Sequence, residues 1–207
     1  MLLGVSAFCE ERDIDLIVDE SFLEFTTEPS LVTLATHRRR LLVVRSLTKS
    51  FALAGLRIGY LVAGRSRVEE LAHRMEPWSV NTLALSAAAS ILDADYIQKA
   101  RSLIPREREY LSRELSQLGW LHPYPSSANF LLARIQSRYT TAPALERMLA
   151  ARNVLIRDAS ECRGLDNQYL RFAVCQRREN RRLLAELEAM GKVLHSQAGK
   201  KERLKAG

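Results

Sequence analysis

The sequence predicts an α/β protein: a first part built on a parallel sheet, followed by a smaller α+β part. Three observations carry this expectation. Short, nearly continuous apolar runs at 14–18 and 40–45 sit between helical patterns, as expected for strands covered on both faces. A long charged helical pattern runs from Ala94 to about Leu118 and stops at Gly119, where a left-handed C-terminal residue costs least. Beyond it the order becomes strand, helix, strand, strand, helix, which is a compact α+β arrangement.

Taken in order, residues 4–13 read as the end of an amphipathic helix and Ile14 to Val18 as a buried strand. Arg40 to Arg45, carrying Leu41-Leu42-Val43-Val44, repeats that strand pattern, and Ile58 to Val62 is a third strand. Helices are expected at 66–75, in the alanine-rich stretch 81–92, and over 94–118. Tyr124-Pro125-Ser126-Ser127 is turn chemistry, and Asn129 to Ala133 is a strand. A helix at 142–152, strands at Val154-Leu155-Ile156 and Tyr169 to Val174, and a closing helix at 177–194 complete the pattern. The boundary falls inside the long helix, giving parts 1–100 and 101–195 and a basic tail, 196–207, that reads as a solvated end.

Composition narrows the function classes. The 207 residues, 47% of them hydrophobic, suffice for a sizeable core. No apolar run is long enough to span a bilayer, and the start lacks the basic-then-apolar pattern of a signal peptide. Cys9, Cys162 and Cys175 are too widely spaced for a metal pair, and three of them do not make a disulfide framework. Reduced thiols in the cytoplasm are therefore expected, with no metal and no membrane. The net charge of +7 lies in a short connection, on the late helix among glutamates, and in the tail, without interleaved aromatics. That distribution argues against a nucleic-acid partner.

The chemistry concentrates in Arg45-Ser46-Leu47-Thr48-Lys49-Ser50-Phe51-Ala52-Leu53-Ala54-Gly55-Leu56-Arg57-Ile58-Gly59-Tyr60. An amine on such a platform can form a Schiff base with an aldehyde. The hydroxyls of Ser46 and Thr48 and the planar fork of Arg57 suit the phosphate attached to that aldehyde. Gly55 and Gly59 are most simply backbone requirements of the turn. Asp19 ends the first strand, where open α/β sheets present ligand-binding groups; by itself such an Asp is more often a turn or helix cap. Arg157 and Arg171 lie after or within strands of the second part, where a lone arginine is usually an ion-pair partner.

This lysine run resembles the cofactor segment of the fold-type I pyridoxal-phosphate enzymes, the class I and II aminotransferases and their relatives. The resemblance implies pyridoxal 5'-phosphate bound by Lys49, Asp19, Ser46, Thr48, Arg57 and Phe22, with Lys49 and Asp19 catalytic. Asp19 would hold the pyridine nitrogen protonated, making the ring an electron sink. Phe22 departs from the tyrosine that many members carry there, and so lacks the hydroxyl that touches the cofactor's ring oxygen. Arg171 corresponds to the family's carboxylate-binding arginine, Arg157 to the arginine facing the substrate's other end or phosphate, and Asn129 to a small-domain position near the substrate.

Within the family the chain is more similar to the threonine-phosphate decarboxylases than to the histidinol-phosphate aminotransferases. The similarity lies in Asp19-Glu20-x-Phe22-x-x-Phe25, Leu56-Arg57-x-Gly59-Tyr60-Leu61-Val62, Pro77-Trp78-Ser79-Val80-Asn81-x-Leu83-Ala84, and Leu155-Ile156-Arg157 followed by Gly164-Leu165-Asp166 and Tyr169. It implies decarboxylation of L-threonine O-3-phosphate to aminopropanol phosphate in cobalamin biosynthesis. An aminotransferase acting on a substrate such as histidinol phosphate and a non-catalytic fragment or interaction module are the alternatives. The glycine loop, ring-stacking aromatic and Asn-Pro-Thr-Gly segment of the family's N-terminal half are not found in this sequence. The resemblance therefore implies an incomplete large domain plus the small domain. Such a chain would be inactive alone and would expose sheet edge and apolar surface; at full length it would form a homodimer.

Overall fold

The computed structural model describes residues 1–90 and 94–205. The chain divides into two compact units, Met1–Arg101 and Ser102–Gly207.

The first unit is organised by a three-stranded sheet, β1 (Leu16–Asp19), β2 (Leu41–Ser46) and β3 (Gly59–Val62), in that spatial order. β1 and β2 run parallel, with Leu16 opposite Leu41 and Asp19 opposite Val44; β3 returns antiparallel, with Ser46 opposite Gly59. The helices are α1 (Leu2–Glu11), α2 (Val32–Ala35), α3 (Leu47–Ser50), α4 (Arg65–Arg74), α5 (Thr82–Ser90) and the start of α6 (Ala94–Gln117). One core cluster gathers Leu31, Ala35, Leu41 and Val43, with Leu16, Val18 and Val62 against it. A second, smaller cluster gathers Leu47, Ile58 and Ala84, with Phe51, Leu56 and Val80 against it.

The first strand corrects the expectation of a run from Ile14 covered on both faces. The Ile14 N–H donates to the Cys9 carbonyl at 2.9 Å and so closes α1, and Asp13 takes a left-handed conformation (φ 58°). Pairing therefore begins only at Leu16, and Ile17 remains 65% exposed. Residues 91–92 of the helix expected at 81–92, and 206–207 of the tail, lie outside the described residues.

The second unit carries a four-stranded antiparallel sheet in the order β4 (Leu121–Pro123), β5 (Phe130–Ile135), β7 (Tyr169–Ala173), β6 (Arg157–Asp158). Strand alternation turns Leu131, Ala133, Ile135, Leu170 and Phe172 inward, all nearly inaccessible. The same burial holds for Leu111 and Leu115 of α6, Leu145 and Leu149 of α7 (Ala142–Ala150), and Leu187 and Met190 of α8 (Arg177–Lys205). Buried Glu107 joins the two long helices: its carboxylate accepts from Arg177 Nε and Nη2 at 2.9 and 3.1 Å and from Asn180 Nδ2 at 3.2 Å.

Two expectations change in this unit. The strand expected at Val154-Leu155-Ile156 is absent there. The Val154 N–H is used to finish α7, donating to the Leu149 carbonyl at 3.0 Å, and Leu155 is 85% exposed, so pairing starts at Arg157. β4 has no apolar run to announce it, because His122 and Pro123 are poor strand formers. The closing helix also continues past 194 to Lys205, through most of the segment read as a tail.

Candidate active site

Topology brings three chain segments to one end of the first sheet. Because β1 and β2 are parallel, Asp19 and Ser46 both terminate at the same edge, where α/β sheets present ligand groups. β3 begins at that edge, so Arg57, two residues before it, arrives there too. The junction is tight: a Cβ on Gly59 would lie 2.5 Å from the Arg45 carbonyl oxygen, so only glycine lets β3 start opposite Ser46.

Ser46 caps the turn that carries the lysine. Its Oγ accepts the Thr48 N–H at 3.3 Å and lies 2.7 Å from Thr48 Oγ1, so the two hydroxyls form one polar patch. Ser50 Oγ donates to the Ser46 carbonyl at 3.1 Å and tightens the same turn. Lys49 is exposed, and among the described residues its ammonium has neither an ion-pair nor a hydrogen-bond partner. Arg57 is exposed as well and sits in the left-handed region (φ 52°, ψ 53°). Its guanidinium donates to the Ala54 carbonyl at 3.0 Å, and no carboxylate pairs with it among the described residues.

Asp19 Oδ1 accepts the Ser21 N–H at 2.8 Å. Hydrogen bonds from the Ser21 hydroxyl and backbone hold its carboxyl below the usual range, so the group is ionised at neutral pH. Half-buried Phe22 follows, at the start of a single 3-10 turn, Leu23–Phe25. Among the described residues the set thus comprises a free amine, an ionised carboxylate, paired hydroxyls and a guanidinium without an acid partner. That chemistry fits an aldehyde, a pyridinium nitrogen and a phosphate respectively.

A supporting network escaped the sequence reading. Buried Glu20 accepts from Ser30 Oγ and the Leu31 N–H, each at 2.7 Å, which ties the loop after β1 to α2. Glu24 from that loop pairs with Arg45 of β2 and, at 2.5 Å, with Arg101 of α6. Arg45 on an otherwise apolar strand was the available signal, since a half-buried guanidinium requires partners. An apolar cavity of about 620 Å³ beside this network is lined by Leu47, Phe51, Ile58, Tyr60, Leu85 and Ile97. None of the five polar site residues lines it.

In the second unit, Arg157 and Arg171 stand directly opposite each other on β6 and β7. Both are exposed, and neither has a carboxylate partner among the described residues; Arg171 lies 5.0 Å over the Phe130 ring. Like charges in cross-strand register repel unless an anion joins them. Asn129 precedes β5, its carbonyl accepting from the Val174 N–H at 2.9 Å, while Arg108 Nη1 holds the Ser127 and Ala128 carbonyls at 2.9 and 3.0 Å.

The model of the aminotransferase class I and II family matches residues 2–187. The chain belongs to that family. The cofactor of these aminotransferases is pyridoxal phosphate, and the α/β architecture described above is the fold-type I arrangement. Histidinol-phosphate aminotransferase 2 of Archaeoglobus fulgidus is 34% identical over 173 residues, covering 83% of this chain and 48% of its own. Threonine-phosphate decarboxylase of Salmonella typhimurium is also 34% identical, over 190 residues, covering 90% of this chain and 51% of its own. The solved histidinol-phosphate aminotransferase of Clostridium acetobutylicum superimposes with a TM-score of 0.82 at 29% identity, over 92% of this chain and 58% of that one. The chain spans about half the length of the curated relatives it matches. Among the described residues no helix is long and apolar enough to cross a membrane.

Proposed function

We propose that this chain carries the cofactor lysine and the substrate arginines of a pyridoxal-phosphate-dependent decarboxylase acting on L-threonine O-3-phosphate. The observation that supports the cofactor site is the meeting of Lys49, Asp19, Ser46, Thr48 and Arg57 at one sheet end, the first and last without acid partners among the described residues. Lys49 Nζ would bind the cofactor's aldehyde carbon, Asp19 would pair with its ring nitrogen, and Phe22 would exclude water from the ring. Ser46, Thr48 and Arg57 would hold the phosphate. When bound, the cofactor supplies an acceptor for the electron pair left on Cα as the bond to carbon dioxide breaks. Arg171 would fix the departing carboxylate and Arg157 the substrate phosphate, with Asn129 near the substrate; a proton is then returned to Cα.

The motif spanning Pro77 to Ala84 favours decarboxylation over transamination, whereas overall identity to the two relatives is equal. The aminotransferase reading, with a homodimeric cytoplasmic enzyme in either case, is the alternative. Product analysis separates them. The chain is assayed with pyridoxal phosphate, alone and with the N-terminal half of a relative added. Carbon dioxide and aminopropanol phosphate from threonine phosphate support the proposal. Consumption of a keto acid with histidinol phosphate supports the aminotransferase, and bound cofactor with neither product supports a non-catalytic module.

Two substitutions probe the proposed roles. Asp19→Asn should leave the cofactor bound but cripple turnover, since an amide cannot stabilise the pyridinium charge. Arg57→Ala should chiefly weaken cofactor binding, by about 1.5–3 kcal/mol for loss of a charged hydrogen-bond donor. Unchanged affinity and rate in both variants would contradict the site.

A further inference from the structure

The Pro77-Trp78-Ser79-Val80-Asn81 segment has no role in the site described so far, yet one of its side chains reaches the backbone that aims Arg57. Asn81 uses both ends of its amide. Oδ1 accepts the Ala84 N–H at 2.9 Å and caps α5, while Nδ2 donates to the Leu56 carbonyl at 3.3 Å. The Leu56 carbonyl belongs to the peptide plane joining Leu56 to Arg57, and the orientation of that plane sets φ of Arg57.

That φ is +52°, a left-handed conformation that a residue with a Cβ adopts only where its surroundings impose it. The constraint is applied on both sides. Beyond Arg57 the Ile58 carbonyl accepts the Leu47 N–H at 3.2 Å, and Gly59 is pressed against the Arg45 carbonyl. Before Arg57, the Leu56 N–H donates to the Leu53 carbonyl at 3.1 Å, and Asn81 holds the Leu56 carbonyl from outside the turn. Were the 56–57 peptide released to turn, Arg57 would relax to negative φ and its guanidinium would leave the Ala54 carbonyl, at the end of the sheet where β2 stops and β3 starts.

We propose that Asn81 is a positioning residue for the cofactor-phosphate arginine, holding the Leu56 carbonyl so that Arg57 stays left-handed. This rests on the cofactor-site reading above, and its consequence is specific. Asn81 should matter for a ligand's phosphate and not for its pyridine ring or aldehyde. It also gives the amide a reason that a helix cap alone lacks, because serine or aspartate caps a helix as well as asparagine does.

The test compares pyridoxal phosphate with pyridoxal, which lacks the phosphate, by absorbance titration of the full chain and two variants. Asn81→Ser keeps a neutral cap and loses the amide donor; Asn81→Asp keeps a cap and also loses the donor. The ratio of the two affinities cancels any change in the folded fraction, so the result stands even if a variant is less stable. The preference for pyridoxal phosphate should fall about fivefold to tenfold in Asn81→Ser, the size of one hydrogen bond in an exposed setting, with pyridoxal binding unchanged. Asn81→Asp should fall at least as far, because its charge also repels the phosphate. An unchanged ratio in the neutral variant, or equal losses for both ligands, would overturn the proposal and leave Asn81 a helix cap. A parent chain with no preference for the phosphate would instead sink the cofactor-site assignment, and this inference with it.

Discussion

The two units are of nearly equal length but bury their apolar side chains very differently. In the second, Leu111, Leu115, Leu131, Leu145, Leu149, Leu170, Phe172, Leu187 and Met190 are at most 2% exposed. In the first, Leu41, Val43, Ala35 and Ala84 reach that level, while Leu3, Phe8, Ile17, Trp78 and Leu83 are 50–96% exposed. The second unit packs the apolar faces of α6, α7 and α8 and one face of its sheet into buried positions, with Leu155 at 85% its most exposed large apolar residue among those described. The first keeps apolar surface on α1, on the β1 edge and around α5, and it also carries the proposed cofactor residues. Among the described residues, exposed Lys49 and Arg57 without acid partners, and left-handed Ala52, Arg57 and Trp78, occur in the first unit, and exposed Arg157 and Arg171 without acid partners in the second. A site built for ligands leaves groups unpaired that a core would pair.

The contrast places the largest stability effect in the second unit. Phe172→Ala should cost about 3–5 kcal/mol through lost burial and the cavity left behind, as read by denaturant unfolding. A cost below about 1 kcal/mol would mean that this core is not packed as described. Glu107 comes next. Glu107→Gln should cost roughly 1–2 kcal/mol, the pair being screened on the half-exposed Arg177 side. Hydrogen bonds from Arg177 and then Asn180 hold the Glu107 carboxyl below its ordinary value. Its contribution is therefore complete above the unfolded glutamate range and disappears as pH falls through the depressed folded value. The parent and Glu107→Gln should accordingly converge in stability on acidification; a constant difference across that window would contradict the buried pair.

The smallest effect is expected at Ile17. With two-thirds of its surface already in water, Ile17→Lys should change stability by no more than about 0.5 kcal/mol. It should also reduce self-association, measured by sedimentation velocity, by placing charge on an exposed sheet edge. A loss comparable to that of Phe172→Ala would show the edge to be covered.

The same contrast governs what could be read from the chain. Asp19 and Ser46 stand at the ends of apolar runs, and run length suffices to place them on strand ends; Lys49 and Arg57 follow from their spacing to Ser46. The orientation of β3 and the pairing of Arg157 with Arg171 are properties of register, which no local pattern contains. Val154-Leu155-Ile156 misleads because β-branched and apolar residues fit both a strand and the exit from a helix, and the Leu149 carbonyl decides between them. The Arg101–Glu24 pair joins residues 77 apart, and the Asn81 bond to Leu56 depends on where a backbone carbonyl points. Such features follow from the fold and cannot precede it.

Lys49 as the amine that binds the cofactor carries the whole site, and chemical trapping probes it without an activity assay. The chain is incubated with pyridoxal phosphate, reduced with borohydride, digested and mapped by mass spectrometry. The pyridoxyl label should fall on Lys49 and disappear in Lys49→Ala without transfer to another lysine. A label on a different lysine, or one spread evenly over Lys49, Lys99 and Lys192, would contradict it.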